Sequence, residues 1–442
     1  MAGGTFDVQN KVRAGVYIRF RTAKAAELNV GDRGVVAICE ALDWGPVATV
    51  QTVEASANVI PFTGYDITNE KNRFLQEIFR GSNRTSAAKK VLLYRPSASG
   101  SVAATATIGN LIAAAKYVGV RGNDITIIVT EDESVFTVKT VVDADIVDVQ
   151  QVSSIADLKE NEWVRFSGTG VLTENTGVKL SGGANGTVNA AAYTTFLTNI
   201  EAYKFDVLCY DGNDTAVVSA MEAFIKRIAE ENGAYAQLVC AHSASPDSRF
   251  VINVASGVEL NDGTALTADQ TCWWVAGVQA GAKYNESLTY AKYPNAVNIS
   301  PMRTNSQIIE ALSAGKFVLN ADDGVVKVES DINSLTTFTP AIGKIYHKNR
   351  IMRLCNTIAN DIFAQFSESF IGQVNNNEAG RSRFKSAVVG YLLQIQASEG
   401  IQNFEAEDVE VLPGTDSDAV VINIAIQAVD SAEKIYLTVE VA

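Results

Sequence analysis

The hydrophobic pattern changes character several times along the 442 residues. Near the start, Val16, Ile18 and Phe20 alternate with Tyr17, Arg19 and Arg21, the period-two signature of a half-buried strand. Gly34-Val-Val-Ala-Ile-Cys39 is a continuous apolar run, which predicts a strand buried on both faces. Asn69 to Arg80 reads as helical, and Val91-Leu-Leu-Tyr94 as another short strand closed by Pro96. From Ser97 to about Ala190 the texture differs. Apart from an Ala-rich stretch near Leu111–Lys116, it consists of β-branched runs at Ile125–Thr130, Val135–Thr140, Trp163–Phe166 and Val178–Leu180, punctuated by Gly, Asn and Ser. That predicts a small all-β domain, sandwich or barrel, inserted into an α/β domain.

The α/β rhythm then resumes. Phe205–Tyr210 and Tyr235–Cys240 read as strands, and Asp214 is placed to cap a helix carrying Val217, Met221, Phe224, Ile225 and Ile228 at helical spacing. Thr267-x-x-Gln270 resembles a capping box before a helix over Thr271–Ala282 that is apolar on most sides, as expected of a central, buried helix. Strand–helix–strand repetition argues for a mostly parallel sheet covered on both faces. Past Pro340 come two long helical patterns, one carrying Ile351, Leu354, Ile358, Ile362 and Phe366, the other Phe384, Val388, Tyr391, Leu392 and Ile395. The pattern finishes in β structure at Val409–Leu412, Val420–Val429 and Ile435–Val441.

The last of these runs matters most. Ile435, Leu437, Val439 and Val441 alternate with Tyr436, Thr438 and Glu440, and burying the four aliphatics is worth roughly 6–12 kcal/mol. Such a strand persists only when something pairs with it. One partner is the same subunit, Val420–Val429, through a turn at Asp430-Ser-Ala-Glu433. That hairpin leaves a flat edge with only Lys434 and Glu440 to blunt it, so strand addition between subunits is the other reading.

Charge sharpens this. The chain carries 36 basic and 50 acidic residues, a net of −14, which argues against a nucleic-acid partner. Residues 1–96 hold 13 basic and 9 acidic groups, a net of +4, whereas the last 42 hold Lys434 against nine acids, a net of −8. Oppositely charged ends are either solvated surface or surfaces that meet on assembly. Residues 1–24 include Asp7, Lys11, Arg13, Arg19, Arg21 and Lys24 and lack the apolar region of a secretory signal. No apolar run approaches the ~18 residues of a membrane span.

Catalytic tools are scarce. The five cysteines (Cys39, Cys209, Cys240, Cys272, Cys355) are scattered and never in CxxC spacing, so they read as small buried hydrophobes. Of the two histidines, His242 follows a strand, where a base is conceivable but a loop histidine is the simpler reading. His347 reads as a surface residue at a helix start. No GxSxG, HExxH, GxGxxG or GxxxxGK[ST] occurs. The acidic run Asp143-Ala-Asp145-Ile-Val-Asp148 lacks the glycine and terminal Glu of a calcium loop and reads as a solvated strand edge.

Several segments in order resemble the contractile-tail sheath proteins of myophages and phage-tail-like bacteriocins of Gram-positive hosts. They are Ala14-Gly-Val-Tyr-Ile18, Tyr117-Val-Gly-Val-Arg-Gly-Asn-Asp-Ile125, Leu266-Thr-Ala-Asp-Gln270, Phe370-Ile-Gly-Gln-Val-Asn-Asn376 and Ala432-Glu-Lys-Ile-Tyr-Leu-Thr-Val-Glu440. Ala14 stands where that family usually has Pro, and Gln373 where it often has Lys. The resemblance implies an α/β protein: a subtilisin-like central domain without proteolytic activity (25–96 plus 191–340), an inserted β-sandwich (97–190), an α+β C-terminal domain facing an inner tube (341–433), and extended β arms (1–24 and 434–442). It implies a structural subunit, not an enzyme, with no cofactor or metal. Such a subunit polymerises as stacked hexameric rings into a cylinder around the tail tube and contracts, alongside baseplate and tail terminator proteins, in a virion tail or tail-like particle assembled in the host bacterial cytoplasm. The arm residues expected to link subunits are Val16, Tyr17, Ile18, Phe20, Ile435, Tyr436, Leu437 and Val439. The basic group Arg381, Arg383 and Lys385 is expected either to face the tube or to solvate a helix start. The rival functions are a subtilisin-like serine hydrolase and another self-assembling shell protein.

Overall fold

The computed structural model describes residues 2–4, 15–17, 30–242 and 247–441. The chain divides into two compact units. One comprises Asp32–Asn356 with Asp430–Ala442, the other Met1–Gly31 with Thr357–Val429.

The larger unit is built on a seven-stranded sheet. Its strands run in the order Lys316–Phe317, Val251–Val254, Gln237–Cys240, Val207–Cys209, Val35–Cys39, Lys90–Tyr94, Val50–Glu54. All neighbours are parallel except Val50–Glu54, which lies antiparallel at one edge. The unbroken apolar runs have the cause expected of them: successive side chains feed different cores. Val36 and Ile38, with Val91 and Leu93, pack among Phe74, Ile78, Trp274 and Val278. Ala37 and Cys39, with Leu92 and Tyr94, pack among Phe196, Met221, Phe224 and Ile225. The sheet is thus covered on one face by the helices Arg73–Ile78 and Ala268–Gly281 and on the other by Ala190–Ile200 and Thr215–Glu231. Asp214 caps its helix by accepting from the Ala216 amide, and Thr267 and Gln270 form the capping box. Ten residues of the helix after that box are buried, consistent with a pattern apolar on most sides.

Between residues 99 and 187 the chain leaves the sheet to form a β-sandwich. A four-stranded sheet (Asp145–Val152, Val135–Val142, Ile125–Asp132, Asn175–Lys179) shares a core with a three-stranded one (Val164–Gly168, Leu111–Ala115, Thr105–Ile108). The Ala-rich stretch is the middle strand of the smaller sheet, paired on both sides. Tertiary pairing overrides alanine's helical preference there. In the acidic run, Asp143 and Ala144 adopt positive φ (53° and 75°) and form a tight hairpin turn, as the pairing of Val142 with Asp145 requires. Arg121 ties the sandwich to the body by donating to the Gly64 carbonyl at 2.9 Å and pairing with Asp124 and Asp143.

In the smaller unit, the part of the helix Asn349–Ser369 from Thr357 onward lies with the helix Glu378–Ala397, and the rings of Phe366, Phe370 and Phe384 pack together in tilted and edge-to-face pairs. A hairpin of Val409–Pro413 with Val420–Ile424 follows, and Gln427–Ala428 pairs with Ile401–Gln402. The whole is a mixed α/β architecture with a β-sandwich insert. No helix among the described residues is long and apolar enough to cross a membrane.

Gly277, on the buried helix, marks a close approach of two main chains in the larger unit. A Cβ placed there would sit 2.1 Å from the Ile78 carbonyl oxygen, a main-chain atom that cannot swing aside. Gly277→Ala gains about 1 kcal/mol of helix propensity and meets a clash worth about 1–3 kcal/mol. A net loss of up to about 2 kcal/mol is expected, read as a lower urea midpoint at unchanged slope; a midpoint above wild type contradicts this packing.

Candidate functional site

The structurally unusual segment is the C-terminal arm, and it starts from a buried charge. Arg353 and Asp331 are 0% and 1% exposed, and such ions persist in a core only when they are paired and hydrogen-bonded. The Asp331 Oδ2 accepts from Arg353 Nη2 at 2.7 Å and from the Leu288 amide at 3.0 Å. Its Oδ1 accepts from Gln279 Nε2 at 2.8 Å and Asn349 Nδ2 at 3.0 Å. Arg353 also donates to Gln279 Oε1 and, at 2.5 Å, to the Glu286 carbonyl. Burial pushes the Asp331 carboxyl up, but the charge and hydrogen bond of Arg353 outweigh it and hold the group below the ordinary range.

From this network a short relay reaches the arm. The Asp331 amide donates to Thr289 Oγ1 at 2.9 Å, and that hydroxyl donates to Glu433 Oε1 at 2.7 Å. Lys348 pairs with the same carboxylate, and Ser431 and Ser287 donate to it at 3.2 and 3.4 Å. Beyond Glu433 this support ends. Residues 434–441 are in no strand, and Ile435, Tyr436, Leu437, Val439 and Val441 are 71–93% exposed. Both faces of the alternating pattern therefore lie in solvent. The hairpin with Val420–Val429 does not form: Val420–Ile424 pairs with Val409–Pro413 and Gln427–Ala428 with Ile401–Gln402. The Asp430–Glu433 segment serves as an anchor for the arm instead of a turn.

At the other end, Val16 and Tyr17 lie in the strand Gly15–Tyr17, parallel to Ala2–Gly4. Ile18 and Phe20 fall outside the described residues. The basic group is not one patch. Arg381 and Lys385, four residues apart, share one flank of their helix, while Arg383 lies across the buried stripe of Gly380, Phe384, Val388 and Tyr391. Arg381 is half-buried and donates to Asn376 Oδ1 at 3.0 Å, and Arg383 is exposed.

Titratable groups also gather at the carboxyl ends of the central strands. His242 has φ +59° and its Nε2 lies 2.9 Å from Asp269 Oδ1. Ser243 and Ser245 beside it lie outside the described residues. Glu40, after Val35–Cys39, is hydrogen-bonded to Asp211, after Val207–Cys209, and Trp273 Nε1 donates to Asp211 Oδ2 at 3.0 Å. Burial raises Glu40 well above the usual carboxylate range and the Asp211 charge adds to it, so the pair holds a proton between them. His347 is not the surface residue its basic neighbours suggested. It is half-buried with Nδ1 2.6 Å from the Leu335 carbonyl, and burial lowers its pKa. No group of three metal-ligating side chains occurs among the described residues.

Comparison with known proteins decides the family. Models of the phage tail sheath match in sequence order: the β-sandwich domain over residues 99–185, the central domain over 186–334 and the C-terminal domain over 342–442. The chain belongs to the phage tail sheath family. This sheath chain is 33% identical to the phage-like element PBSX protein XkdK of Bacillus subtilis, with all of both chains covered. The crystal structure of a sheath tail protein from Desulfitobacterium hafniense is 41% identical, covers 96% of this chain and 99% of its own, and superposes with a TM-score of 0.87. The helical sheath of the anti-feeding prophage in its contracted state is 13% identical with a TM-score of 0.60 over 98% of this chain and 99% of its own, a likeness of fold. As a tail sheath component the chain is structural and not an enzyme, in keeping with a sequence that offers no recognised catalytic motif. Segments quoted from the sequence carried the family; the Glu433 anchor did not announce itself, because Thr289 is 144 residues away.

The Glu40–Asp211 pair gives the sheath chain a defined pH response. With the folded pKa of Glu40 above its ordinary value of 4.5, the folded state holds more protons than the unfolded one between that value and the raised one. Stability therefore falls as pH rises through this window. Glu40→Gln removes the charge and is expected to flatten the decline and stabilise the protein at pH 8, measured by urea unfolding from pH 5 to 8. An unchanged profile contradicts the shared proton.

Proposed function

We propose that this sheath protein polymerises through strand addition by its terminal arms into a helical cylinder of stacked hexameric rings around an inner tube, and that contraction of the cylinder drives the tube through a target cell envelope. The observation that carries the reading is the arm at 434–441: strand-patterned, solvent-exposed on both faces, and fixed at its root by Glu433. A neighbouring copy supplies the missing partner. The hairpin Val409–Pro413 with Val420–Ile424 is a two-stranded ribbon that no further strand joins among the described residues, which suits it to receive an arm. Arms held by main-chain ladders let rigid bodies rotate and slide without dissociating, a shift between two packings of one sequence. A small gain per subunit, summed over many copies, then performs the work.

In this reading the central sheet domain (25–96 plus 191–340) is subtilisin-like in fold without its chemistry, the sandwich (97–190) faces outward and the C-terminal domain (341–433) faces the tube. Val16, Tyr17, Ile18 and Phe20 form the N-terminal arm, and Ile435, Tyr436, Leu437 and Val439 the C-terminal one. Arg381, Arg383 and Lys385 approach the tube from both flanks of their helix. The partners are further copies of the chain, the tail tube protein, and baseplate and terminator proteins. The particle is a phage tail or tail-like bacteriocin assembled in the host cytoplasm.

Removing residues 434–442 is expected to leave a folded, soluble monomer within about 0.5 kcal/mol of the parent, since the arm contributes little to its own body. Negative-stain microscopy should then show no cylinders; cylinders from the truncated protein contradict arm exchange. Reversing Arg381, Arg383 and Lys385 to Glu is expected to block co-assembly with the tube while leaving the fold intact. Normal extended particles from that variant overturn the tube-facing assignment.

A further inference from the structure

Among the described residues Arg95 is a buried cation without a counter-ion. It follows the strand Lys90–Tyr94, is 5% exposed, and lies where the chain leaves the central sheet for the sandwich. Its guanidinium makes two hydrogen bonds, Nη1 to the Gly45 carbonyl at 2.8 Å and Nη2 to the Val118 carbonyl at 2.9 Å. A guanidinium has five N–H donors, so three find no acceptor among the described residues. No carboxylate pairs with it there. The field of Asp43 reaches it, but that carboxylate is already held by Lys71 at 3.0 Å, by Asn185 Nδ2 at 2.7 Å and by the Tyr65 hydroxyl at 3.1 Å. Burial accordingly lowers the Arg95 pKa to about 10.

Beside this charge is a cavity of about 310 Å³, lined by Arg95 with Leu42, Ala98, Ser101, Gly186 and Thr187 among others. The volume holds about ten waters at ~30 Å³ each, which is ample for a small ion and part of its hydration shell. No acidic side chain among the described residues lines it. The lining residues come from the loop after Val35–Cys39 and from the two crossings that join the sandwich to the body, which are bridged at Ser99 with Thr187 and at Val102 with Ala184.

We propose that the cavity at Arg95 is a binding site for a compact oxyanion of the phosphate class. The planar fork of a guanidinium matches two oxygens of such an ion, and the spare N–H donors are the groups it would engage. A buried charge that is costly when unpaired becomes favourable once the anion enters, so occupancy stabilises the folded chain and stiffens the joint that carries the sandwich. The family match assigns no ligand to this joint, and the site stands independently of the assembly reading.

The test is thermal unfolding of the full chain titrated with inorganic phosphate, with chloride at matched ionic strength as reference. Wild type is expected to show a saturable rise in Tm of about 2–4 °C, and Arg95→Met to lose the saturable part. A non-saturating rise equal in both proteins is the general effect of an excluded salt and overturns the proposal. If Arg95→Met does not fold, Arg95→Lys keeps the charge without the fork and should respond more weakly than wild type; an equal response counts against the site. Phosphorus NMR on wild type needs no variant: the phosphate line should broaden on adding protein and sharpen again with sulfate. An unbroadened line at phosphate and protein concentrations that saturate the thermal shift overturns the proposal.

Discussion

A peptide backbone carries a donor and an acceptor at nearly every residue, and a segment that forms neither helix nor sheet leaves them to water. Residues 434–441 are in that condition while carrying four aliphatics at strand spacing. Solvated backbone and exposed apolar side chains rarely coincide by accident in a stable fold; a run of this kind is the edge-seeking element that proteins otherwise blunt. Glu433 must be immobile for the arm to leave the body in one direction, and it is fixed by Lys348 and by a hydroxyl relay ending on Asp331.

That relay joins the arm to a fully buried ion pair. Arg353 and Asp331 add little net stability over an apolar pair of the same shape, but breaking one partner strands the other in the core. Their value lies in geometry. The planar guanidinium, the Gln279 and Asn349 amides and the Leu288 amide leave the carboxylate one orientation, and this sets the position of Thr289 beneath Glu433. Directional bonds fix the root of the segment more closely than apolar packing, which tolerates small slides.

Much of the architecture was legible in local pattern. Gly34–Cys39 announced a strand buried on both faces because its alternate residues serve two cores, and Thr267 with Gln270 announced the start of the central helix because capping is decided within one turn. Illegible features were those settled by distant partners. Leu111–Ala115 is a strand only because strands on either side pair with it, and alanine gives no β signal by itself. Val50–Glu54, an antiparallel edge, carries two polar residues and a glutamate that hide its membership in the sheet. Glu433 looked like part of a turn, and its partners at Thr289 and Lys348 are 144 and 85 residues away. His347 looked exposed beside Lys348, whereas its ring is occupied by the Leu335 carbonyl. Family resemblance was readable from a handful of segments: two in the terminal arms, one in the sandwich, one opening the central helix and one between the two long C-terminal helices.

Amide hydrogen exchange over residues 434–441, compared between the dissociated chain and the assembled particle, bears most directly on the central claim. Unpaired amides exchange at the rate of an open chain, and ladder amides are slowed by orders of magnitude. Near-complete exchange within seconds is expected in the free chain and strong protection in the assembly, in the alternating manner of a strand added at an edge. Protection already present in the free chain, or none in the particle, would contradict that claim.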